Sequence, residues 1–213
     1  MPLRTTIASS IVIAMLSSLS SPTCQTCVAT QPIDNSVSPI RGLIERYQMD
    51  RGSLLRVFTI STSSNREARL RSLIDSYLKN LDSVDFNSLD RDGQIDFLLL
   101  RNELRFQRTQ LVNNRKKREE VAYLLPFAES ITTLEEGRRQ LHDQGGRDSA
   151  KMLATIPEMI DRIQRDLATD SDSSAKKPDA IQANRAATIV YEYRRAIDAW
   201  FRFYDSYNPE FSW

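Results

Sequence analysis

The spacing of apolar side chains between Asn65 and Leu81 constrains this chain more than any other feature of it. Leu70, Leu73, Ile74, Tyr77, Leu78 and Leu81 recur at i, i+3, i+4, i+7, i+8 and i+11. Those positions share one side of an α-helix and define a face that must be buried. The pattern returns in Phe97, Leu100, Leu104 and Leu111, where Leu98 and Leu99 widen the apolar surface as in a helix at the middle of a bundle. It returns again between Asp179 and Tyr207, in Ala186, Ile189, Val190, Tyr193, Ala196, Ile197, Trp200 and Tyr204. No segment alternates polar and apolar residues for long enough to make a strand, and Leu54 to Ile60 comes nearest. Only six glycines occur in 213 residues, which argues against a fold built on many tight turns. The fold class that follows is all-α: a multi-helix bundle of about six helices, with long antiparallel helices, preceded by a signal peptide.

Local signals place the helix ends. Ser88 or Asp90 can cap a helix running from Gln94 to about Asn113. Pro126 interrupts the pattern, and Thr133-x-x-Glu136 reads as a capping box opening a helix near Leu134. Residues 143 to 147 read as a loop, after which Asp148 can cap a helix that turns Met152, Leu153 and Ile156 inward. Pro157 is expected to kink or restart that helix before Met159, Ile160, Ile163 and Leu167 continue its face. Residues 169 to 178 form a polar connection.

The first 29 residues stand apart. Arg4 is their only charge, and Ile7 to Leu19 is an apolar run of 13 residues, shorter than the roughly 20 that a membrane helix needs. A basic start, a short apolar centre and small residues around Cys27-Val28-Ala29 make residues 1–29 a secretory signal peptide, with Ser18-Leu19-Ser20 a rival cleavage site. The protein is therefore expected to be exported, to the periplasm or beyond, with no transmembrane helix in the mature chain. Cys24 and Cys27 are the only cysteines and leave with the signal on this reading; a lipid anchor on Cys24 is the alternative. Residues 30–39, with two prolines among short polar residues, read as a linker, and 40–213 as the helical bundle.

A search for catalytic chemistry returns no catalytic, cofactor-binding or metal residue. His142 is the only histidine, so the histidine pair of a zinc helix cannot form, and a solvent-facing place at a helix end is expected for it. The acidic pairs Asp92/Asp96, Glu119/Glu120 and Glu135/Glu136 are local and lie among arginines, as on solvated helix faces. Glu119 and Glu120 follow the run Arg115 to Arg118 at once. The 29 basic and 28 acidic residues nearly cancel, so nucleic acid is not an expected partner.

The C-terminal aromatics are the exception. Trp200, Phe201, Phe203, Tyr204, Tyr207, Phe211 and Trp213 fall within 14 residues. Either they close the bundle core, or the chain is the front part of a longer helical domain and its partner surface lies in sequence that follows. The second reading makes Trp200, Tyr204, Tyr207, Phe211 and Trp213 candidate interface or groove residues.

Two stretches carry a family resemblance: Leu89-Asp-Arg-Asp-Gly-Gln-Ile-Asp-Phe-Leu-Leu-Leu-Arg-Asn-Glu-Leu104 and Tyr207-Asn-Pro-Glu-Phe-Ser-Trp213. They resemble the exported bacterial family called domain of unknown function 885, whose large helical members are similar in architecture to zinc peptidases. The resemblance covers most of residues 40 to 213. It implies the non-catalytic N-terminal helical portion of an exported zinc metallopeptidase-like hydrolase, forming one wall of a substrate channel. It also implies that zinc belongs to an H-E-x-x-H helix further downstream, so no ligand can be assigned here. The expected partner is the C-terminal half of the same protein or a peptide. The alternative is a stand-alone helical binding or scaffolding protein of the cell envelope.

Overall fold

Ser38 and Pro39 open the first helix. The Ser38 side chain accepts from the Ile40 amide at 3.2 Å, and Pro39 brings a fixed φ where no amide hydrogen is needed. The structure, a computed structural model, describes residues 38–142, 145–168, 177–205 and 209. The signal peptide, both cysteines, residues 30–37 of the linker and most of the 169–178 connection lie outside the described residues.

Six helices follow in order: α1 (Pro39–Val57), α2 (Ser64–Asp82), α3 (Arg91–Glu119), α4 (Ala128–Arg139), α5 (Gly146–Ala168) and α6 (Ala180–Asp205). Among the described residues there is no strand, and the protein is an all-α bundle. Leu54 to Val57 end α1, and Phe58 to Ile60 begin the turn into α2.

The apolar stripes pack into two clusters. In the first, Ile40 and Tyr47 of α1, Ile74, Tyr77 and Leu81 of α2, and Phe97, Leu100 and Leu104 of α3 come together. The Tyr77 hydroxyl donates to Asp50 at 2.7 Å, and burial together with that bond pushes its pKa up to about 12. In the second, Ile60, Val121, Leu125 and Phe127 meet Ile131 of α4 and Ala186, Ile189 and Tyr193 of α6. Ile156, Met159 and Ile163 of α5 pack on its edge.

Several helix ends differ from the sequence expectation. Asp90 caps α3 by accepting from the Gly93 amide at 2.8 Å. A Cβ at position 93 would sit 2.7 Å from that carboxylate oxygen, so the glycine leaves room for the cap. Helix α3 then runs six residues past Asn113, because Lys116, Lys117 and Arg118 in its last turn complement the helix dipole. Thr133 and Glu136 do not open a helix. They lie inside α4, which starts at Ala128, and Glu136 turns away to bond another segment. Asp148 does not cap α5; it sits in the first turn and accepts from Lys151 at 3.1 Å. Pro157 does not restart α5, which is continuous from Gly146 to Ala168. The proline is exposed, so the carbonyl left without an amide partner is not sealed in a core.

Helix α4 ends on a left-handed residue that is not glycine. Leu141 has φ 55°, the His142 amide donates to Gly137 O at 2.9 Å, and the Leu141 amide to Arg138 O at 3.2 Å. This is the Schellman pattern, in which glycine is the usual residue because it has no Cβ to crowd the carbonyl. The Leu141 side chain is 80% exposed and adds little burial in exchange. Leu141→Gly is expected to stabilise the chain by about 1 kcal/mol, read as a raised midpoint of urea unfolding with unchanged slope. An unchanged or lowered midpoint would show that the left-handed conformation costs nothing here. His142 itself is exposed at the helix end.

Candidate functional site

The turn from Phe58 to Ser63 is the meeting point of the two halves of the bundle. Ser63 caps α2 by accepting from the Arg66 amide at 3.1 Å and donates its own hydroxyl to Glu136. Asn65 adds a second bond to Glu136 at 2.8 Å. From the other side Glu192 accepts from the Ser61 amide at 2.7 Å and its hydroxyl at 2.6 Å, and Thr62 bonds the Tyr193 hydroxyl at 2.8 Å. Helices α4 and α6 thereby hold a loop that precedes their bonding residues by 73 and 131 residues.

Glu135 and Glu136 overturn the expectation of a solvated acidic pair: they are 3% and 4% exposed. Glu135 accepts from Arg138 Nε at 2.9 Å and Nη2 at 2.7 Å, from Arg139 Nε at 3.0 Å, and from Thr59 at 3.1 Å. Burial pushes its pKa up, but the bonds and charges of Arg138 and Arg139 outweigh it and hold the carboxyl below its usual range. A carboxylate engaged in this way is a structural anion rather than a base. Of the other pairs, Glu119 and Glu120 are exposed, and Glu120 pairs with Arg185.

Beside this turn lies a cleft of about 420 Å³, walled by α1, α2, α3 and the start of α6. Six cationic side chains line it, Arg51, Arg66, Arg115, Lys117, Arg118 and Arg185, against a single carboxylate, Glu67. Glu67 is held by Arg118 at 3.0 Å, Arg71 at 3.1 Å and Arg115 at 3.8 Å. The run Arg115 to Arg118, set aside as a nucleic-acid patch, thus supplies part of this wall. Sequence reasoning missed the cleft because its cations come from four helices.

The predicted aromatic candidates divide. Trp200 is 2% exposed, and Tyr204 is half-buried with its ring 5.3 Å from Trp200 and 5.0 Å from Phe203. The Arg138 guanidinium stands 5.4 Å from the Phe203 ring centre, tying this end of α6 to α4. Tyr207, Phe211 and Trp213 lie outside the described residues. Among the described residues no group of three or more His, Cys, Asp or Glu could hold a metal ion. None of their helices is long and apolar enough to cross a membrane.

No protein-family model matches the chain, and no curated protein or solved structure matches it.

Proposed function

We propose that this chain is a non-catalytic helical portion of an exported zinc metallopeptidase-like protein and forms one wall of its substrate channel. The observation that supports it most is the outer face of α3. Leu98, Leu99, Ile95 and Phe106 are exposed, Leu99 by 61%, on a helix whose opposite face is buried. The sequence expectation of a helix at the middle of a bundle is thus met on one side only among the described residues. A helix apolar on more than one side suits a place between two packed layers. The resemblance of Leu89 to Leu104 to domain of unknown function 885 falls on this same helix. On this reading the remaining half of the protein covers α3 and brings the zinc.

A second reading, a stand-alone binding or scaffolding protein of the cell envelope, is favoured by the burial of Trp200, the large aromatic near the end of α6, which is 2% exposed. A dye that fluoresces on exposed apolar surface separates the two. The first reading expects strong dye binding by the native chain, lost in Leu99→Glu/Phe106→Glu while the helical signal is kept. A sharp melt with little dye bound favours the second. Zinc-dependent cleavage of peptides by the chain alone would overturn both.

A further inference from the structure

The cleft beside the α1–α2 turn holds more positive charge than its one lining carboxylate, Glu67, neutralises. Glu67 answers Arg118 and Arg115, and Glu120 answers Arg185. Arg66 is occupied by neutral partners, donating to the carbonyls of Phe58 at 3.3 Å and Thr59 at 3.0 Å. Among the described residues Arg51 and Lys117 make no ion pair at all. Glu192, whose charge acts on Arg66, is bonded to Ser61, and Glu103, which shares an adjoining pocket with Arg51, accepts from Gln107 at 2.8 Å.

Arg51 and Arg66 also oppose one another. Burial pulls the Arg66 pKa down, Glu192 raises it, and the positive charge of Arg51 lowers it further. An anion in the cleft that both side chains line would relieve that repulsion. The volume of about 420 Å³ falls in the range of small-molecule sites. Gln107, Gln110 and Asn114 add amides that can meet hydroxyl groups, and Leu55 and Leu111 give an apolar floor.

We propose that this cleft binds a small dissolved phosphate monoester, its phosphate held by Arg51, Arg66 and Lys117. Two negative charges suit the uncompensated cations better than the single charge of a carboxylate. The planar guanidinium fork also matches phosphate oxygens in pairs. The near balance of charge over the whole chain does not oppose this, because the excess is local to one concave surface.

The test is isothermal titration of the full chain with glycerol 3-phosphate, with acetate and glycerol as comparison probes. Saturable binding of glycerol 3-phosphate is expected, with acetate weaker by at least about 10-fold and glycerol silent. Arg51→Gln and Lys117→Gln should each weaken binding by roughly 10-fold. Arg41→Gln, which removes an exposed pair with Glu45 outside the cleft, should leave it unchanged. Lys117 is exposed on α3, so its variant keeps the fold even if Arg51→Gln does not. Equal affinity for acetate, or binding untouched in both cleft variants, would overturn the proposal. So would sedimentation with phosphatidylglycerol vesicles without binding of the free ester, which would make a lipid surface the source of the phosphate.

Discussion

Trp200→Ala is expected to cost about 3–5 kcal/mol of stability. The indole is 2% exposed on α6, against Tyr204. Truncation to a methyl removes a large apolar contact and leaves a cavity that two packed helices cannot close without moving. Phe201 is the internal comparison. It neighbours Trp200 in sequence but faces outward, so Phe201→Ala should cost less than about 1 kcal/mol. Urea unfolding of the two variants measures both numbers. Similar small losses would mean that Trp200 does not seal the bundle, and that its burial in the isolated chain is incidental to a partner surface.

The second large effect is expected at Glu135. Its removal leaves Arg138, itself largely buried, without the carboxylate that neutralises it. Breaking a buried pair from one side costs about 3–5 kcal/mol, much of it the desolvated charge that stays behind. Glu135→Ala should therefore destabilise by that amount, and Glu135→Gln by less, since the amide oxygen still accepts. The pH dependence has a definite sign. The folded pKa of Glu135 lies below that of an unfolded glutamate, so its contribution is complete above about pH 4.3. It is lost as pH falls through the folded value. The gap in stability between the wild type and Glu135→Gln should be widest near neutrality and shrink steadily below about pH 4. A gap that stays constant down to low pH would show that the carboxylate charge contributes nothing.

What the sequence disclosed, and what it withheld, follow from the range of the interactions involved. Helices α2, α3 and α6 were readable because a helical stripe is local: Leu70 to Leu81 repeats every three or four residues, whatever it packs on. The cap at Asp90 was readable for the same reason. The capping box at Thr133 failed because its spacing is also that of two residues on one helix turn. Glu136 is directed to Ser63 and Asn65, 73 and 71 residues away. The acidic pair at 135 and 136 looked solvated because its distant partners, Thr59, Ser63 and Asn65, lie in the α1–α2 turn and the start of α2, 71 to 76 residues earlier. Yet the Glu135 to Arg138 and Arg139 spacing, three and four residues, already placed cation and anion on one side of a helix. The cationic cleft was invisible in sequence, since Arg51, Arg66, Lys117 and Arg185 lie on separate helices.

The α1–α2 turn has a consequence for the order in which the molecule assembles. The buried residues of the first cluster all precede Arg105 in the chain, so α1, α2 and the first half of α3 can collapse on one another early. Ser61 and Thr62 must wait for Glu192 and Tyr193, which follow them by 131 residues. Until α6 arrives, the Ser61 amide and hydroxyl and the Thr62 hydroxyl lack the partners that α6 supplies and bond to water instead. Folding of this chain should therefore end at residues 58 to 63, with α6 acting as a latch on the α1–α2 turn. Amide hydrogens there should be among the last to gain protection from exchange during refolding.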